Sequence, residues 1–203
     1  MLSADAIVNM HDVLTCDWHA NPTVGESVNT DWLQRVARQH RANFNLWHIE
    51  DEARTPGATD SELAGVKRRI DSTNQLRNDL AEDLDRALLD WLALQSLPVS
   101  SAPLNSESPG LIIDRLSILA LKIFHTREEA ERPDATSNHT ERNLGRLAIL
   151  EEQRADLAGC LDSLWVETLA GTRRFKLYRQ LKMYNDPSLN PAIYRKLVNE
   201  PLL

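Results

Sequence analysis

The stretch "LIIDRLSILALKIFH", residues 111–125, is apolar on most sides of a helical projection. A helix on the surface of a globular protein carries one apolar stripe, whereas a helix that is apolar nearly all round is buried among other elements. The stretch therefore predicts the most enclosed helix of the chain. Ser108-Pro109 marks its start, because proline at the first helical position surrenders an N–H that would have no intrahelical partner. Asp114, Ser117, Lys122 and His125 are its polar members, and Asp114, Ser117, Leu121 and His125 are spaced for one face. A first-turn Asp suits the helix dipole, and Lys122 reaches water along its own stem.

Other helices extend on both sides. Ile7, Val8, Leu14 and Trp18 anchor a run from about Ala4 to Trp18, and "ANPTVGESVN" (20–29) is a loop. Thr30 or Asn29 caps a second helix that continues to about Arg54. Its stripe reads Leu33, Val36, Ala37, His40, Phe44, Trp47 and Asp51. "TPGA" (55–58) breaks it, and Thr59-Asp60-Ser61-Glu62 forms a capping box for a third helix to about Leu97. The third stripe runs Leu63, Val66, Ile70, Asn74, Arg77, Ala81, Leu84, Leu88 and Trp91. A Pro- and Ser-rich connection covers 97–110. After a turn at 132–138 a long helix is expected from about Thr140 to 185, with Gly171 as a kink, and Asn190-Pro191 opens a short last helix. No segment alternates like a strand. The expected fold is all-α: an antiparallel helical bundle with four long helices plus extra terminal helices. Residues 1–203 make one domain, with a weak boundary at 97–110.

Bulk composition narrows the function classes. The 203 residues are 42% hydrophobic and 26% charged, which supplies a core and rules against a disordered chain. A net charge of -7 speaks against nucleic-acid binding. The basic stretch "RRFKLYRQLK" (173–182) reads as a solvated helix face. No run is long and apolar enough for membrane insertion, and the N-terminus has no signal-peptide pattern, so the expected location is cytoplasmic. Cys16 and Cys160 read as free thiols. Composition neither requires nor excludes a homo-oligomer.

Two of the stripes carry polar side chains where a bundle built only for stability would place leucine. On the third helix Lys67, Asp71, Asn74 and Asn78 share a face; on the second, Asn45, His48 and Asp51 or Glu52 do so. With Gly57 as the hairpin midpoint, Phe44 lies level with Ile70 and His40 with Asn74. An unpaired buried polar group costs about 1–3 kcal/mol, so these groups either satisfy one another or leave capacity for a ligand.

Phosphate-loop, dinucleotide, HExxH, GxSxG and di-iron bundle motifs are all absent. A divalent metal such as Mg²⁺ or Mn²⁺ is an option at His48, Asp51 and Asp71. Two function classes follow. In the first, a small anionic molecule bearing a phosphate or sugar sits between helices two, three and four. Arg54 and Arg77 clamp its charge, Asn74, Gln75 and Asn78 read its hydroxyls, Asp71 adds a ligand, and His48 with Asp51 is the catalytic acid–base pair. In the second, the chain is a non-enzymatic interaction or scaffold module and the polar cluster is structural.

"LWHIEDEAR", "KRRIDSTNQLRNDLAEDLD" and "SPGLIIDRLSILALKIFHTREEA" together resemble the signature blocks of a bacterial, mostly helical domain family of unknown function. The similar region is about 40–130. The recurring positions of that family map to Trp47, His48, Glu50, Asp51, Arg54, Asp71, Asn74, Gln75, Arg77, Asn78, Asp79, Asp114 and Lys122. The resemblance implies an all-helical fold and carries no established activity. It adds only an association with glycosyltransferase and cell-envelope polysaccharide systems.

Overall fold

A computed structural model of the chain describes residues 2–26, 28, 30–181 and 188–191. Its helices are α1 (Ala4–Ala20), α2 (Asp31–Glu52), α3 (Asp60–Ala93), α4 (Pro109–Glu131) and α5 (Ser137–Leu169). Among the described residues no strand forms; one isolated parallel bridge joins Leu104 to Arg174. No described helix is long and apolar enough to cross a membrane.

Side-chain caps set the helix starts. Ser3, Thr30 and Thr136 accept from the amides of Ala6, Leu33 and His139, and Thr59 with Glu62 completes the capping box. The start of α4 is capped differently. Ser108 makes no side-chain cap of its own. Instead Asp85 of α3 accepts from the Gly110 amide at 2.7 Å and from the Ser108 hydroxyl. A carboxylate from another helix thus satisfies two groups at the positive end of α4.

α4 is the central post, packed against all four other helices. Ile112, Ile113, Leu116, Ala120, Leu121 and Ile123 are each almost fully buried, as an all-round apolar helix requires. The main core gathers Leu84, Leu88 and Leu92 of α3 and Leu161, Leu164 and Trp165 of α5 around it. Leu14, Trp18, Ala37, Phe44 and Leu121 form a second, smaller cluster.

Pair registers give the helix directions. Gln39 meets Asp114, Asn43 meets Ser117 and Trp47 meets His125, so numbers rise together along α2 and α4. They also rise together along α1 and α2, through His11 with His40 and His19 with His48. They run oppositely in α2 and α3, where Arg35 meets Asp83 and Glu52 meets Arg69. The α1–α2 loop must therefore travel back along α2: Arg41 holds the carbonyls of Pro22 and Val24, and Gln34 holds that of Val28.

Two expectations need correction. The hairpin register is displaced, because Glu52 at the end of α2 pairs with Arg69 rather than with the first turn of α3. The opening turns of α3 project beyond α2, with the 55–58 loop folded against them; Leu63 is exposed there, and full burial on α3 begins at Ala81. Second, α5 stops at Leu169 instead of continuing to 185. Gly171 adopts φ 73°, the Thr172 amide bonds to Glu167 O and the Gly171 amide to Thr168 O. This is a Schellman stop, so Gly171 ends the helix where a kink was expected. The basic segment then leaves the helix, bridges to Leu104 and buries Phe175 in the main core. The expected last helix falls on residues 192 onward, outside the described residues.

Two outcomes test the α3–α4 contact. A Cβ added at Gly110 would lie 2.3 Å from the Ala81 carbonyl oxygen. Gly110→Ala should therefore lower stability by about 1–3 kcal/mol in a denaturant melt. Burial pushes the Asp85 carboxyl up to about 6 from its ordinary 3.8, against the lowering effect of its bonds to Ser108 and Gly110. A raised acid stabilises the fold fully below 3.8 and loses that contribution as pH rises through 6. An Asn at 85 keeps an oxygen for Gly110 without the charge. Asp85→Asn should thus gain on the order of 2 kcal/mol over the parent at pH 8 and nothing at pH 4. Melts at the two pH values decide it.

Candidate functional site

Polar groups from four helices meet beside α4. The Asp114 carboxylate of α4 is buried. Its Oδ1 accepts from Gln39 Nε2 at 2.6 Å, Asn43 Nδ2 at 3.0 Å and Arg77 Nε at 2.8 Å, and its Oδ2 accepts from Arg77 Nη2 at 2.5 Å. Asn43 gives its other N–H to Ser117 Oγ at 2.9 Å. Ser117 reaches His40 Nδ1 at 2.7 Å, and His40 Nε2 lies 3.1 Å from the His11 carbonyl and 3.0 Å from Thr15 Oγ1. The line runs from α3 through α4 and α2 to α1.

Donor and acceptor roles follow from the ends. The His11 carbonyl only accepts, so His40 carries its proton on Nε2. Nδ1 then accepts from the Ser117 hydroxyl, whose oxygen accepts from Asn43. Burial pushes His40 down to about 3 from 6.5, an effect its bond to the His11 carbonyl partly offsets and Arg41 reinforces. Burial also lowers His11 well below its ordinary value, with His40 and Arg154 adding to the effect. Both imidazoles are neutral in the fold.

Arg77 is the open end of the line. Asp114 takes Nε and Nη2, and Nη1 has no hydrogen-bond partner among the described residues. Beside it lies a cavity of about 320 Å³ between α2, α3 and α4. Leu46, Trp47, Ile118 and Leu121 supply apolar walls; Asn43, Glu50, Asp51, Arg54 and Arg77 supply polar ones.

The expected site residues divide into three groups. Asp51, Arg54 and Arg77 line this cavity, with exposed Arg54 paired to Glu50. His48 instead faces α1 and α4, where its ring sits edge-on to His19, Phe44 and His125. Burial lowers His48, helped by His19 and His125 and opposed by Asp51 and Glu128. Asp71 pairs with Lys67, and Gln75 donates to Asp79 at 2.8 Å, both along the surface of α3. Asn74 and Asn78 are half-buried on α3 and are not among the residues lining the cavity. Gln39, Asn43 and His11 were missed. Gln39, His40 and Asn43 crowd one turn of α2, a signal available in "RQHRANFN" (38–45), but nothing local ties them to Asp114.

Fold and site define an all-helical domain with a buried polar line that ends at a small cavity. The chain belongs to the family described as "Protein of unknown function (DUF4254)", whose model matches residues 33–177. That span includes α3, α4, α5 and nearly all of α2, and leaves out α1. No curated protein and no solved structure matches the chain.

The neutral histidines set an acid response. A His lowered in the fold contributes stability above 6.5 that is lost as pH falls toward 3. His40 alone should supply a loss on the order of 4 kcal/mol across that window. Unfolding melts at pH 7, 5 and 4 should show stability falling toward acid, and His40→Gln should flatten the fall while lowering stability at pH 7. An equally steep fall in the variant would contradict the assignment.

Proposed function

We propose that the protein binds a small molecule carrying a phosphate or sugar phosphate in the cavity between α2, α3 and α4. The observation that carries this is the Arg77 guanidinium. One edge is locked to Asp114, and the free Nη1 belongs to a side chain that lines the cavity. A guanidinium held by a buried carboxylate is already oriented, so little side-chain entropy is lost when it takes an anion. Arg54 at the rim supplies a second donor fork, and Trp47 and Ile118 offer apolar surface to a ring. Binding is proposed without a reaction, since His48 and Asp51 face different surroundings and share no hydrogen bond. The proposal takes residues 1–203 as one cytoplasmic domain, an antiparallel bundle of the four long helices α2 to α5 with α1 added. The pair registers of α2, α3 and α4 support that arrangement.

The scaffold alternative has one observation in its favour: from Arg77 to Thr15 the polar line closes largely on itself, the buried side-chain atoms without a partner among the described residues being Gln39 Oε1 and, at its end, the two ring nitrogens of His11. A thermal-shift panel separates the two. Inorganic phosphate, a hexose 1-phosphate and a nucleoside diphosphate sugar are the probes. A probe at 100 times its dissociation constant should add about 2.7 kcal/mol of stability. Arg54→Ala should leave the ligand-free melting temperature within a degree of the parent and weaken the probe about 10-fold, a loss of about 1.4 kcal/mol. Absence of any shift, or one unchanged both in Arg54→Ala and in the cavity-filling Ile118→Trp, would favour the scaffold.

A further inference from the structure

Three histidines meet on the other side of α2 from the cavity. His19 comes from the last turn of α1, His48 from the last turns of α2 and His125 from the C-terminal half of α4. One ring nitrogen of each lies within 4.8 Å of the other two. All three residues are half-buried.

The hydrogen bonds around the trio show which nitrogens are available. His19 Nδ1 lies 2.7 Å from the Thr15 carbonyl oxygen, which only accepts, so the proton is on Nδ1. His125 Nδ1 lies 2.8 Å from a Glu128 carboxylate oxygen, which fixes its proton in the same way. In the neutral ring this leaves the Nε2 atoms of His19 and His125 as lone-pair acceptors. Both are buried with no hydrogen-bond partner among the described residues. Such an atom loses its water without replacement. Two of them side by side, with a third imidazole next to them, leave a place for a Lewis acid.

We infer that His19, His48 and His125 form a binding site for a divalent transition metal of the zinc type, with one coordination position left open. Metal-binding histidines characteristically donate the opposite ring N–H to a carbonyl or carboxylate, which fixes the ring and raises its basicity. Thr15 O and Glu128 do this for His19 and His125. Packing holds the rings as well. Phe124 stacks on His19 at 4.1 Å, Trp47 stacks on His125 at 4.7 Å, and Phe44 sets its edge against His19 and His48. Tetrahedral zinc with Zn–N near 2.0–2.1 Å puts its nitrogens about 3.3 Å apart, so the three nitrogens, within 4.8 Å of one another here, must draw closer when the ion binds. Three neutral imidazoles select zinc, copper, nickel or iron over the harder Mg²⁺ and Mn²⁺ expected for the set His48, Asp51 and Asp71. Three protein ligands leave the fourth position of a tetrahedral metal for water or an oxygen ligand. The site does not depend on the cavity, although Trp47 lines the cavity with one ring that also stacks on His125.

The test uses the full chain stripped of metal by chelation and dialysis. Zn²⁺ should bind with one ion per chain and raise the melting temperature, and Mg²⁺ should not. Co²⁺ should give the visible absorption of a four- or five-coordinate site. His48→Ala should abolish both signals while keeping the melting temperature of the metal-free parent. Glu128→Ala changes an exposed residue and should weaken Zn²⁺ about 10- to 100-fold. This second variant keeps the test decisive should His48→Ala fold poorly. Three results overturn the site: no Zn²⁺ binding by the parent, a Co²⁺ spectrum unchanged in folded His48→Ala, or a near-ultraviolet thiolate band placing the ion at exposed Cys16 or Cys160. Phosphate and sugar-phosphate probes should bind His48→Ala as they bind the parent, so failure at one site leaves the other standing.

Discussion

A buried carboxylate organises the molecule. Asp114 sits on the central helix, out of water, and an ion there is tolerated only when its lone pairs are filled. Four hydrogen bonds fill them, from Gln39 and Asn43 of α2 and from Arg77 of α3. One side chain therefore fixes how α2 and α3 both sit on α4. Leucine packing alone would tolerate sliding by a turn. A charge with directional donors on two helices does not, because any slip strands it.

The same constraint carries on to α1. Asn43 uses its second N–H on Ser117, Ser117 uses its proton on His40, and His40 uses its proton on the His11 carbonyl. Each group has its capacity committed, which orients the next. The parallel run of α1 and α2 follows from these contacts and obliges the connection at Pro22, Val24 and Val28 to return along α2. One turn back, at the start of α4, the logic repeats on a smaller scale. Asp85 caps the helix from α3, and Gly110 is required because α3 passes too close for a side chain.

α2 consequently turns polar side chains into two different surroundings. One turns Arg54, Asp51 and Trp47 toward the cavity that ends at Arg77; the other turns His48 toward His19 and His125. Neighbours in sequence, Trp47 and His48, serve different neighbourhoods, because consecutive helical residues point about 100° apart. Trp47 connects the two by stacking on His125 while walling the cavity.

Local chemistry in the sequence settled the helices. Thr30, Thr59 and Pro109 mark starts through groups within one turn of the backbone they serve, and the all-round apolar stretch 111–125 had to be central because no solvent-facing side is left to it. Arg77 stands in an apolar stripe, where a buried cation requires a negative partner. Which acid answered was decided only in three dimensions. So were the α2–α3 register, which depends on how far α3 overshoots its loop, and the stop at Gly171, which depends on φ and on where Phe175 finds its pocket. His19, His48 and His125 are separated by 28 and 76 residues with no ligand spacing among them. Periodicity reports which face of one helix a residue occupies; only packing decides which residues of other helices meet it there.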